Sequence, residues 1–214
     1  ADADLYSVEN AYFRDAAREL SALRDAEVLV KTYDKLMNVC GDDIELGLFS
    51  DIRHSLVFHR EQLADQHDNL DKRLNKFSRK MTDAKKRISS WKLDQKGFDA
   101  VADGLEKTYR RGRKALAKAY NDPTGENFHD WRKRVKYHWY HCRLLRNIYL
   151  LIMKARVDQL DKLATILGDY HDLVVLRSYV ESSKHKKDET NKIKHFLERI
   201  DQRLETMRYK AQPL

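Results

Sequence analysis

The chain has 214 residues, 42% hydrophobic and 36% charged, with 42 Lys or Arg against 34 Asp or Glu and a formal net charge of +8. This composition argues against a disordered chain and supplies apolar material for one substantial core or two small ones. Two Pro and seven Gly speak against a strand-and-turn architecture. The richest apolar run, Ile148 to Met153, is far shorter than the roughly 20 residues of a membrane span, so no membrane partner is expected.

In chain order, Ala1-Asp2-Ala3-Asp4 has no start Met and no apolar signal core, which reads as a processed chain or a fragment. The two cysteines, Cys40 and Cys142, have no metal-type spacing, and an intracellular, reducing setting is expected. Gly41 to Ser50 reads as a connection. From about Asp51 to Trp91 the positions Leu56, Leu63, Leu70, Phe77, Ala84 and Trp91 recur every seven residues, interleaved with Leu74, Met81 and Ile88. That heptad seam predicts one long helix. His67 falls on the seam and reads as a core histidine bonded to a neighbour. No His or Asp stands at a ligand spacing on its face, and His54, His59 and Asp68 do not change that.

The next two helices carry the charge. At about 100° per residue, Phe98, Val101, Ala102, Leu105, Tyr109, Gly112 and Leu116 share one face and Lys107, Arg110, Arg111, Lys114 and Lys118 the opposite one. Asn121-Asp122-Pro123-Thr124-Gly125 is a loop, with Thr124 or Asn127 available to cap the helix that follows. There, Phe128, Trp131, Val135, Cys142, Leu145 and Tyr149 form the apolar side. His129, Arg132, Lys133, Lys136, Tyr140 and Arg143 form a second stripe about 21 Å long. Arg134, His138 and His141 lie off the stripe and are expected to meet solvent or a neighbouring helix. Gly168 reads as the end of a helix begun at about Arg156, and Lys184 to Asp188 as a solvated connection. Roughly eight helices joined by short loops make an all-α helical bundle with antiparallel neighbours.

An internal repeat suggests duplication. Leu20, Asp25, Val28 and Leu29 recur as Leu167, Asp172, Val175 and Leu176, all at an offset of 147, and Phe13 and Ala17 fall on Leu160 and Ala164. A shared break between the Leu and the Asp favours two pseudo-symmetric half-bundles with long helices, roughly residues 5–95 and 96–210 of a single domain spanning 5–210. Moved back by the same offset, His129 falls before Ala1, so a first His-containing helix is expected to be missing from this chain.

Charge is concentrated. Between Lys107 and Arg146 stand twelve basic and three acidic residues, a net +9, and the rest of the chain nets −1. Like charges so gathered oppose folding, and an anionic partner is the simplest reason to keep them. A solvated helix face usually mixes signs at three- and four-residue spacings, whereas these stripes read as having nothing to neutralise them. With a short loop between them, the stripes are expected to converge on a groove for a linear polyanion.

These residues carry a family resemblance. The string His129-Asp130-Trp131-Arg132-Lys133-Arg134-Val135-Lys136 is preceded by Tyr109-Arg110-Arg111-Gly112-Arg113-Lys114-Ala115-Leu116 and followed by Leu167-Gly168-Asp169-Tyr170-His171-Asp172-Leu173. Together they resemble the CHAD domain, the conserved histidine α-helical domain. Phe13-Arg14-Asp15 through Leu20 and Leu23-Arg24-Asp25 resemble that family's earlier motif. The resemblance implies paired helical bundles whose basic surfaces bind inorganic polyphosphate. It assigns phosphate contacts to Arg110, Arg111, Arg113 and Lys114 and to His129, Arg132, Lys133 and Lys136, with Arg14, Arg18 and Arg24 from the earlier motif. The wheel adds Lys107, Lys118, Tyr140 and Arg143. Family members open with a His-x-x-Arg-rich helix, the element that the repeat finds missing. The expected compartment is the cytoplasm, with polyphosphate-containing bodies or the nucleus as alternatives.

The residue types suit binding without turnover, since Arg forks and mobile Lys charges fit a loose, repeating phosphate chain. No catalytic residue, metal or cofactor is expected. Two rivals come from other classes. A metal-dependent phosphohydrolase would use His-Asp pairs, present at His67-Asp68, His129-Asp130 and His171-Asp172, but adjacent helical residues point about 100° apart. A single-stranded nucleic-acid module would stack bases on aromatics, and with Trp131 facing the core only Tyr137 and Tyr140 are left as platforms.

Overall fold

The structure, a computed structural model, describes residues 3–18, 20–40, 49–65, 70–92, 95–183 and 190–212. Among these are eight α-helices and no strand: α1 (Ala3–Arg18), α2 (Ser21–Cys40), α3 (Ser50–Asp65), α4 (Leu70–Ile88), α5 (Asp99–Asn121), α6 (Gly125–Leu144), α7 (Leu150–Ser182) and α8 (Thr190–Lys210). The all-α expectation holds. By internal contacts the chain divides into Ala1–Asp34 with Leu46–Ala100, and Lys35–Glu45 with Val101–Leu214.

In the first unit two antiparallel pairs are visible. Arg87 of α4 forks onto Glu9 of α1 at 2.8 and 2.9 Å and stacks 4.5 Å over Tyr12, whose hydroxyl donates to Lys80 O. The Arg87 hydrogen bond holds the Glu9 carboxyl below its ordinary range. On α2, Tyr33 donates to Phe49 O at 2.9 Å, Asp34 accepts from Arg53 at 2.7 Å and Glu27 from Arg60 at 3.3 Å, which fixes α3 alongside. The single helix expected from Asp51 to Trp91 is described in two parts, α3 and α4. Residues 66–69, with His67 and Asp68, lie outside the described residues, as do most of the Gly41–Ser50 connection and all of Lys184–Asp188. The heptad seam is half covered. Leu56 and Ala84 are buried, while Leu70, Leu74 and Ile88 are exposed.

The second unit is built on a long antiparallel hairpin. Thr124 caps α6, its hydroxyl accepting from Asn127 N at 3.2 Å, while the Asn127 side chain donates to Asp122 O and Oδ2. Those bonds close the loop and give the buried Asn127 amide its partners. α7, 33 residues and so about 50 Å long at 1.5 Å per residue, runs back along the whole of α6 and beyond its start. Phe128 and Trp131 of α6, Tyr120 of α5 and Tyr170 of α7 interlock at centroid separations of 4.5 to 5.9 Å. Tyr120 donates to Arg208 O at 2.9 Å, and Arg177 of α7 grips Asp201 at 2.8 Å, which brings α8 onto the same core through Phe196, Ile200, Leu204 and Met207.

Glycines here mark close helix approach. A Cβ on Gly125 would stand 2.7 Å from Val174 Cγ1, and a β-branched side chain cannot swing away. Gly125→Ala is expected to lower unfolding stability by about 1–2 kcal/mol through overpacking, read as a shifted denaturation midpoint. Gly168, expected to end a helix, lies inside α7. The neighbouring α6 accounts for this, because Arg132 crosses α7 at that glycine and tertiary packing outweighs its poor helix propensity. The same continuity removes one argument for the repeat. The chain breaks between α1 and α2 near Leu20, but not at its counterpart Leu167.

Candidate anion-binding site

The α6 stripe leans on α7. The rings of His129 and His171 lie 4.3 Å apart, tilted by 37°, and a Cβ on Gly168 would come within 3.7 Å of Arg132 Nε and 3.8 Å of its Nη2. An alanine methyl fits there, but a longer side chain would push the guanidinium aside. His129 Nδ1, His171 Nδ1 and Arg132 Nε are all buried from solvent, and no described residue gives them a hydrogen-bond partner. Three stranded polar nitrogens at one place are costly unless something else satisfies them.

The electrostatics of the pair follow from its surroundings. Burial, then Lys133 and Arg132, lower the His129 pKa, with Asp130 opposing. Burial, then His129 and Arg132, push His171 down to about 4. Both shifts favour the neutral imidazole in the free protein. The carboxyl of Asp130 is held low first by its bond to Lys133, at 2.5 Å.

The second cationic strip is separate. Gly112 of α5 faces Arg134, where a Cβ would lie 3.8 Å from Arg134 Cβ, and Tyr109 packs against His138 at 5.5 Å. Lys107, Arg110, Arg111, Lys114 and Lys118 therefore lie on the side of α5 turned from α6, all exposed, with Arg113 exposed at the flank. The expected convergence into one groove does not occur. An amphipathic helix that packs by its apolar face must point its opposite, cationic face away from its partner. Arg134 and His138, off the stripe in sequence, are the residues that meet α5.

Nor are the cations wholly uncompensated, as the sequence suggested. Arg110 pairs with Glu106, Lys133 with Asp130, and Arg14 and Arg18 with Asp15 at 3.2 and 3.8 Å. Among the described residues, no carboxylate lies within ion-pair distance of Lys114, Arg132 or Lys136. Arg14, Arg18 and Arg24 are exposed residues of the first unit. The apolar faces are also thinner than expected, with Phe98, Val101, Tyr109 and Tyr149 exposed. Tyr140 is exposed against Trp139, over whose ring Arg143 stacks at 4.6 Å.

Sequence reasoning missed His171 and Gly168 as site residues. The string Gly168-Asp169-Tyr170-His171-Asp172 contained both, but only the α6–α7 register puts them beside His129 and Arg132. It also missed α4, where eight basic residues face two acidic ones, a local excess hidden by acidic residues elsewhere in the tally.

Among the described residues no helix is long and apolar enough to cross a membrane, and no group of three or more His, Cys, Asp or Glu is placed to hold a metal ion. Compared with known proteins, the chain matches no curated protein and no solved structure. The model of the CHAD domain matches residues 1–181, and the chain belongs to the CHAD domain family.

Proposed function

We propose that the chain binds inorganic polyphosphate without turning it over, on the α6–α7 face formed by His129, Arg132, Lys136, Tyr140, Arg143 and His171. The α5 strip from Lys107 to Lys118 is an outer, weaker contact. The observation that carries this reading is the trio of buried, unpartnered nitrogens on His129, Arg132 and His171. Once those side chains turn outward, a phosphate group can accept hydrogen bonds from all three while its neighbours along the chain meet Lys136 and Arg143, as Arg and Lys both favour phosphate oxygens.

Titration with polyphosphate of defined lengths at two salt concentrations tests it. Affinity should rise with chain length and fall steeply with salt, as counterions are exchanged. RNA at matched phosphate concentration should displace little of it, because with Trp131 buried its bases have only the exposed Tyr137 and Tyr140 to stack on. Equal displacement by RNA would transfer the site to nucleic acid.

The juxtaposed His129 and His171 rings are the one observation that favours a metal-dependent phosphohydrolase. A working metal site needs further ligands, and Lys133 already engages Asp130. Metal-supplemented phosphate release that depends on His129 or His171 would establish that second reading in place of the first.

A further inference from the structure

The turn between α6 and α7 presents the largest run of exposed apolar side chains in the described chain. Leu144, Ile148, Tyr149, Leu150, Leu151 and Ile152 are 59 to 81% exposed. Such a run on a water-soluble surface usually marks an interaction site. It sits at the closed end of the hairpin, since α6 and α7 are antiparallel and paired from Gly125 with Val174 through Arg132 with Gly168.

Its rim has one sign. Arg143, Arg146, Lys154 and Arg156 are exposed around it, and the hairpin has no Asp or Glu between Asp130 and Asp158. Two copies meeting through this tip would set these cations against one another with no carboxylate of the hairpin to pair them, which disfavours an isologous dimer. An anionic lipid surface complements both parts, taking the apolar tip among its acyl chains and the cations at its headgroups. Tyr149 suits the boundary, with a ring for the apolar side and a hydroxyl for the wet one. The earlier expectation of no membrane partner rested on spanning length, and lying on a membrane does not require a span.

We propose that the α6–α7 tip is a peripheral anchor that seats in the headgroup region of bilayers containing anionic lipid. It does not depend on polyphosphate binding. The test is co-sedimentation with vesicles of phosphatidylcholine containing about one third phosphatidylserine, against phosphatidylcholine alone. The full chain should bind the first and not the second, and added salt should weaken it. The triple change Leu144→Ser, Ile148→Ser, Leu151→Ser should lower partitioning about a hundredfold by removing exposed apolar surface. Arg146→Gln, Lys154→Gln and Arg156→Gln should lower it about fivefold per cation. Thermal unfolding of each variant should match the parent, because these side chains face solvent. Failure to sediment with the anionic vesicles, equal binding to neutral ones, or unchanged partitioning of the serine variant would each overturn the proposal. So would a dimer of the parent, seen in light scattering, that the serine variant abolishes.

Discussion

The double change Arg132→Glu, Lys136→Glu is expected to lower affinity for long-chain polyphosphate by at least about a hundredfold at low salt, whereas Arg110→Glu, Lys114→Glu lowers it less than about tenfold. The difference comes from burial and from existing partners. Arg132 Nε is enclosed beside the two histidines, where a charge-assisted hydrogen bond is strongest and a reversed charge is least screened. Lys136 lies one turn further along the same face. On α5, both cations stand in solvent and Arg110 already has Glu106. Its reversal removes a shared, screened charge. Each phosphate contact removed should also flatten the dependence of log affinity on log salt by about one. Fluorescence titrations of both variants over a salt series would measure the two effects together. Equal losses would mean that the ligand wraps both strips. A larger loss from the α5 pair would sink the assignment to the α6–α7 face.

How far the sequence disclosed this arrangement depended on whether a property was local. The all-helical class, the Asn121–Gly125 loop and the Thr124 cap follow from periodicity and turn chemistry within a few residues, and all are present. The burial of Phe128, Trp131, Val135 and Cys142 follows from the same periodicity. Non-local features were misread. A wheel assigns cations to a face of their own helix, but which neighbour that face meets is decided by packing. Gly168 resembled a helix end because its reason lies 36 positions away, in Arg132. In sequence His171 stands out only as one of three His-Asp pairs. Its role as a candidate comes from the antiparallel register that stacks it against His129. The run Ile148 to Ile152, by contrast, is legible as apolar, but its exposure required the turn to be placed.

Polyphosphate binding should tighten as pH falls, and the His129–His171 pair sets the sign. In the free protein both pKa values lie below the ordinary 6.5, and that of His171 is about 4. A bound polyanion stabilises imidazolium and raises them, so the complex binds more protons than the free chain. Affinity therefore climbs as pH falls through the bound pKa and levels off below the free one, by up to about tenfold per pH unit for each proton taken up. At 4.3 Å the two rings repel each other's charge, so uptake should approach one proton for the pair rather than two. Stability of the free fold moves oppositely. Between 6.5 and about 4 the unfolded chain protonates the His171 ring while the folded chain does not. Acidification through that window should cost up to about 3 kcal/mol. The increase in Tm given by saturating polyphosphate should thus be larger at about pH 5 than at about pH 8. His171→Gln, which cannot titrate, should flatten both trends. Affinity that is indifferent to pH in the unaltered chain would remove the histidine pair from the binding site and leave Arg132, Lys136 and Arg143 as its charged contacts.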